Sequence, residues 1–407
     1  MNPPLQIQMV DLKAQYLNIK DEIDVAMTEV LDNTSFINGR HVEQFAAHLS
    51  EYLNVPHVIP CANGTDALQI ALMALNLQPG DEVIVPAFTY VATAEVIALL
   101  RLVPVMVDVH KDNFNINTDL LDTALTPKTR AIVPVHLFGQ CANMTPLTHW
   151  AQKHKLFIIE DAAQSLGAIY RGELHTPPSR TGVLHTPTSQ RSTSPTSERC
   201  TFPPAHAGTI GHIGCTSFFP SKNLGCFGDG GALMTRDTQL AERIKMIANH
   251  GQQKKYTHQI VGCNSRLDTL QAAILDVKLK YLDQYAAARY AAAQRYTQAL
   301  QGIDGLICPK EEPYSTHVYH QYTLRISNGQ RDALKNHLAA AGISTAIYYP
   351  LPLHQQEAFA PIARTAGKLT TSEQLCTEVL SLPMHTELTP QIQNTITSQI
   401  QDFFTHN

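Results

Sequence analysis

The sequence predicts an α/β fold: a large domain on a mostly parallel sheet, then a smaller α+β domain. Three observations predict it. In the first two thirds, short apolar runs alternate with helical patterns, as in a sheet covered on both faces. After about Asn249 that alternation stops. The chain is 407 residues long and 44% hydrophobic, enough for two or three domains with substantial cores. The expected division is 1–249 for the large domain and 250–407 for a bridging helix and the small domain.

The elements follow in order. GTDALQIALMALNL, from Gly64, is apolar nearly all round and reads as a buried helix. A turn at Pro79–Gly80 leads into a strand at Glu82–Val85. Further strands are expected at Pro104–Val109, Ala131–Val135, Leu156–Glu160, Thr216–Phe219 and Ala232–Thr235, with a helix at Met144–His154. A long helical stretch runs from Arg266 to about Leu300. Beyond it, strands are expected at His320–Ile326 and Ser344–Ile347, and helices at Arg331–Ala340 and Thr389–Thr405.

Composition excludes several classes. Lys plus Arg is 30 against 35 Asp plus Glu, a net charge of −5, so no basic excess points to nucleic acid. The most apolar stretch, Val91–Val109, contains Glu95, Arg101, Pro104 and Asp108, which argues against a membrane span. The N-terminus shows no secretory pattern, and the eight scattered cysteines form no CxxC pair. A cytoplasmic protein with reduced thiols is expected. From His175 to His206, 18 of 32 residues are Ser, Thr or Pro. That segment reads as a flexible surface insertion, either a lid or a tolerated loop. Its histidines (His175, His185, His206) are irregularly spaced and carry no metal-site pattern, so no metal is expected.

In parallel sheets ligands bind beyond the strand C-termini, and four such places hold unusual residues. Asn63, Gly64, Thr65 and Asp66 open the buried helix, where free N–H groups suit a phosphate or an ordinary N-cap. Phe88 and Tyr90 follow a strand, and either suits a flat ring or the core. Glu160 and Asp161 end another strand. One of them is placed to hold a protonated pyridine nitrogen, or to cap a following helix. Lys222 follows a strand in a turn rich in glycine (Gly225, Gly228, Gly230, Gly231). Desolvation there would favour the neutral amine needed for a Schiff base. Together these four places describe a pyridoxal phosphate site.

The motifs NGTDAL, GDEVIVPAFTYVATAE, EDAAQS, SFFPSKNLGCFGDGGAL and NSRLDTLQAAIL resemble those of the DegT/StrS family of sugar aminotransferases. That family has the aspartate-aminotransferase-like fold, fold type I of the PLP-dependent transferases. The resemblance implies Lys222 as the Schiff-base lysine and proton-transfer base, with Asp161 on the pyridine nitrogen. It implies Gln164 at the ring hydroxyl, Ser217 with Gly64 and Thr65 at the phosphate, and Tyr90 stacked on the ring. Asn264 would reach the phosphate of the neighbouring subunit, making a homodimer with shared sites. The substrates implied are L-glutamate and a UDP-linked keto sugar. The branch most resembled aminates the 3-keto group of a UDP-linked 2-acetamido hexuronate for surface polysaccharides such as O-antigen. A 4-keto-6-deoxy sugar is the alternative, and a non-catalytic PLP-binding regulator a remote one. Arg266 would meet an anionic group of the substrate, or serve in an interface salt bridge. Tyr348 and Tyr349 would orient the sugar. Tyr348 stands where that branch usually carries His, which weakens the case for an acidic sugar.

Overall fold

The computed structural model describes residues 6–172 and 204–406. Seven strands come first: β1 (His57–Cys61), β2 (Glu82–Pro86), β3 (Val103–Val107), β4 (Thr129–Ile132), β5 (Phe157–Asp161), β6 (Ile213–Ser217) and β7 (Gly231–Thr235). With β10 (Arg364–Thr365) they form one sheet in the order β1-β7-β6-β5-β4-β2-β3-β10. All neighbours pair parallel except at β7, which runs against both β1 and β6. β2 is buried along its whole length. That fits a strand covered by helices on both faces.

The sequence places β3, β4 and β5 within a few residues of their observed bounds. It puts the strand before Lys222 too late. That strand is Ile213–Ser217, and its pattern is masked by Gly214, whose added Cβ would lie 1.9 Å from the Gly208 carbonyl oxygen. Strand β1 was not anticipated, because Pro60 interrupts it. Proline is tolerated there since β1 is an edge strand. Helices α1 (Lys20–Asn33) and α2 (Arg40–Leu53) were not anticipated either.

Helix α3 (Gly64–Ala74) starts where Asn63 accepts from the Asp66 N–H at 2.8 Å. It buries Ala67, Leu68, Ile70, Ala71 and Leu72 against the sheet. Helices α4 (Ala92–Leu99), α5 (Met144–His154) and α6 (Thr238–Ala248) complete the cover. The expected long helix is two, α7 (Thr269–Leu279) and α8 (Leu282–Leu300). They break at Lys280–Tyr281, where the N–H groups bond the carbonyls three residues back, at 3.3 and 3.0 Å, instead of four. α7 packs on α1 and α2, whereas the second half of α8 enters a separate apolar cluster.

That cluster joins α8 to β8 (Leu306–Ile307), β9 (Tyr322–Ile326), β11 (Val379–Leu382) and the helices α9 (Arg331–Ala340) and α10 (Pro390–His406). The three strands form an antiparallel sheet. The strand expected at Ser344–Ile347 is reduced to one bridge, Ala346 with Ser381. The prolines at 350 and 352 that follow have no N–H to extend it. No described helix is long and apolar enough to cross a membrane.

The Ser/Thr/Pro-rich insertion lies outside the described residues, with His175, His185 and Cys200, except at its end. Ala205 and His206 belong to the body, pairing antiparallel with Tyr170 and Ile169. Seven described cysteines are free.

Candidate active site

Lys222 sits in the turn after β6. Its N–H bonds the Phe219 carbonyl at 2.8 Å, and the chain doubles back so tightly that an added Cβ at Gly225 would lie 2.3 Å from the Pro220 oxygen. Among the described residues none accepts a hydrogen bond from its amine. Burial pushes the amine down to about 8, and the charge of Asp161 acts in the opposite sense. A lysine so placed has a usable neutral fraction near physiological pH.

Asp161 ends β5 and is 6% exposed. Thr93, near the start of α4, donates its hydroxyl to Asp161 Oδ2 at 2.8 Å, and the Ala163 N–H reaches Oδ1 at 3.2 Å. The other carboxylate of the pair takes a different part. Glu160 is fully buried and accepts from His136 Nε2 at 2.8 Å. It also accepts the N–H groups of Gly208, Ile210 and Gly211 at 3.0, 2.6 and 2.5 Å. Glu160 thus fastens the loop before β6 to β5. Neither residue caps a helix, because residues 162–167 form turns.

Gln164 lies on those turns. Its Oε1 accepts the Phe138 N–H at 2.7 Å, which leaves its amide to donate to the Tyr349 hydroxyl at 3.2 Å. Tyr349 belongs to the C-terminal part of the chain. The pair therefore links the β5 end to the residues after α9, and burial raises the Tyr349 phenol above its ordinary range. Tyr348 is half-buried beside it, with ring centroids 6.0 Å apart.

Gly64 packs directly on Ser217, since an added Cβ would lie 2.7 Å from the Ser217 Cβ. The first turn of α3, with Thr65, therefore meets the end of β6 in a cradle that has no room for a side chain. Tyr90 is 56% exposed, its ring centroid 6.3 Å from that of Tyr349. Phe88 is buried among Phe114, Phe138 and Tyr349, so of the two aromatics it is the core residue.

Asn264 and Arg266 flank Ser265. Ser265 is buried, donates to Asp66 Oδ2 at 2.6 Å and accepts from the Ala62 N–H at 3.0 Å. Its neighbours turn the other way. Asn264 is exposed, and Arg266 is half-buried with no carboxylate partner among the described residues. Neither is hydrogen-bonded to Lys222, Asp161 or Ser217 within the chain.

Sequence reasoning missed Thr93 and the His136–Glu160 tie. The signal for Thr93 was present in its spacing: it lies one helical start beyond the PAFTY strand end, facing β5.

The structure thus gathers Lys222, Asp161, Gln164, Ser217, Gly64, Thr65, Tyr90 and Tyr349 at the C-terminal ends of the parallel strands. A family model, DegT/DnrJ/EryC1/StrS aminotransferase family, matches residues 17–401. The chain belongs to this family. Among DegT/DnrJ/EryC1/StrS members, it is 44% identical over 379 residues to the UDP-2-acetamido-2-deoxy-3-oxo-D-glucuronate aminotransferase of Pseudomonas aeruginosa. That match covers 93% of this chain and 95% of the relative. It is 42% identical to the UDP-N-acetyl-3-dehydro-alpha-D-glucosamine 3-aminotransferase of Acidithiobacillus ferrooxidans, covering 94% of each chain. The crystal structure of Streptomyces venezuelae DesV in complex with a ketimine intermediate superposes with a TM-score of 0.87. The two chains are 37% identical, and the match covers 99% of both.

The protein is a pyridoxal-phosphate-dependent sugar aminotransferase of fold type I. Its own residues fit that cofactor. They offer an unengaged amine, a buried carboxylate held by Thr93, and a cradle closed to any Cβ at Gly64.

Proposed function

We propose that the enzyme moves an amino group from L-glutamate to the 3-keto carbon of a UDP-linked 2-acetamido hexuronate. The observation that carries this reading is the 44% identity, along nearly the whole chain, to an enzyme named for that keto sugar. Arg266 supports it, because a guanidinium with no carboxylate partner among the described residues suits a carboxylate or a diphosphate.

The residue roles are part of the proposal. When bound, pyridoxal phosphate supplies the electron sink. Lys222 would hold the cofactor through its amine and, once released, would serve as the base that moves the proton. Asp161 keeps the pyridine nitrogen protonated, and Thr93 keeps Asp161 aimed. Gln164 faces the ring hydroxyl, Tyr90 covers the ring, and Gly64, Thr65 and Ser217 receive the phosphate. Tyr348 and Tyr349 orient the sugar.

We also propose a homodimer in which Asn264 and Arg266 complete the partner's site. The exposure of Asn264 and partial exposure of Arg266 beside buried Ser265 support it. So do the exposed Phe36, Ile37 and Phe219 on the same chain. The division at residues 249/250 is also part of the proposal: the apolar cluster that starts in the second half of α8 supports a separate small domain, although α7 and β10 pack with the large one. Free thiols and nucleotide-sugar chemistry suit the cytoplasm.

A second reading rests on Tyr348, which cannot carry positive charge: the sugar is neutral, either a 3-keto hexosamine or a 4-keto-6-deoxy sugar. One experiment separates these. The PLP-loaded enzyme is titrated with the 3-amino product of each 3-keto sugar, and with a 4-amino-6-deoxy sugar nucleotide. The cofactor's visible absorption is followed throughout. Bleaching by UDP-2-acetamido-3-amino-2,3-dideoxyglucuronate, with little response to the others, establishes the hexuronate reading. Bleaching by a neutral sugar alone overturns it.

A further inference from the structure

Lys278 belongs to none of the roles above. It lies in the last turn of α7 and is 3% exposed, and no described carboxylate is within salt-bridge reach. Its ammonium donates to the Gly225 carbonyl at 2.5 Å and lies 5.7 Å from the centre of the Phe227 ring. Burial pushes its amine down to about 8. A buried, unneutralised ammonium costs stability, and an apolar side chain of similar volume would cost less. Such breaches of the burial rule concentrate where function requires them.

The carbonyl it holds lies three residues after Lys222. The near end of that turn is fixed by backbone bonds, Lys222 N–H to Phe219 and Cys226 N–H to Phe218, both at 2.8 Å. Its far end is fixed from α7. Gln271 Oε1 accepts from the Phe227 N–H at 2.8 Å, and Lys278 holds Gly225. The turn has no slack, given the 2.3 Å approach at Gly225. A shift of the Gly225 carbonyl therefore moves the Lys222 backbone.

We infer that Lys278 is a positioning residue, its ammonium clamping the turn that presents Lys222 to the cofactor. The inference rests on the role of Lys222 proposed above.

The test is PLP binding by apo-protein, read from visible absorbance, together with thermal unfolding of the same apo-protein. Three variants are compared with wild type: Lys278→Met, Lys278→Gln and Lys222→Ala. Lys278→Met should weaken apparent PLP affinity about tenfold, the scale of one hydrogen bond to a charged group. Its apo Tm should hold or rise, because a desolvated charge is gone. Lys278→Gln restores a neutral N–H donor and should recover part of the affinity. It also serves as the readout if the Met variant does not fold. Wild-type affinity in both variants overturns the inference, as does a Tm loss that tracks the affinity loss. Lys222→Ala separates the two layers. If it keeps the Schiff-base absorption, the reading of Lys222 itself fails. If it loses that absorption while the Lys278 variants bind normally, the clamp alone fails.

Discussion

At the scale of single residues, the site depends on how two buried groups are partnered. Asp161 is buried and accepts hydrogen bonds from Thr93 and Ala163, whereas the Lys222 amine is buried with no hydrogen-bond acceptor among the described residues. Thr93→Val preserves shape and removes one donor to the carboxylate. It should lower kcat about 10- to 100-fold, with the cofactor still bound, as steady-state kinetics and absorbance together would show. Asp161→Asn should retain cofactor and lose far more rate, because the pyridinium loses its counter-charge. Equal kinetics in either variant would remove that residue from the site. The places of Lys222 and Asp161 were legible in the sequence because Asp161 ends a strand and Lys222 follows one, each inside a distinctive motif. Thr93 was not, since a threonine at a helix start has an ordinary capping use.

At the scale of elements, the positions of β5 and β6 are set by Glu160. Its carboxylate gathers four donors, one from His136 and three from the loop that leads into β6. Glu160→Leu would strand those donors in a dry interior and should cost about 3–5 kcal/mol in urea unfolding. α3 makes a different demand. Gly64→Ala would set a methyl against Ser217, 2.7 Å from its Cβ, and should reduce PLP affinity while costing the apo-protein about 1–3 kcal/mol of overpacking strain. An unchanged titration would show that the cradle lies elsewhere. The sequence presented Glu160 and Asp161 as interchangeable neighbours. Only the pleat, which sends adjacent side chains to opposite faces, separates an anchor from a reactive carboxylate. Glycines and prolines account for the displaced or missing strands. Gly214 and Pro60 are read locally as breakers, but Gly214 makes room for the Gly208 carbonyl and Pro60 sits on an edge strand opposite Ala232.

At the scale of the molecule, buried bases shape stability against pH. Burial lowers His317 to about 3 and His385 to about 4, so both stay neutral in the fold. The unfolded chain binds more protons than the native one from about pH 6.5 downward. Stability should therefore fall through that window, by up to about 1.4 kcal/mol per pH unit for each group. On the alkaline side, Lys222 and Lys278 bind protons less readily in the fold, near 8 against about 10.4 unfolded. These two amines alone would add stability from pH 8 toward 10, but burial raises the thiols of Cys61, Cys141, Cys215, Cys226, Cys263, Cys308 and Cys376, which ionise only in the unfolded chain and act in the opposite sense above about pH 8.5. The amine contribution is therefore read as a difference: the urea-midpoint advantage of cofactor-free Lys278→Met over wild type should shrink from pH 8 toward 10, and an advantage that stays constant would contradict the buried-amine account. None of this was visible in composition, which counts 19 histidines without saying which are dry.

The short hairpin of Ile169–Tyr170 with Ala205–His206 has an evolutionary meaning. The described residues on either side of the insertion are immediate neighbours, with Tyr170 opposite Ala205. Whatever length is spliced between those two points, the exit and the return stay about 5 Å apart, and no strand of the main sheet must move. A lineage can therefore lengthen, shorten or exchange this cassette without renegotiating the catalytic architecture. A protein engineer can use the same port for a tag or a tether.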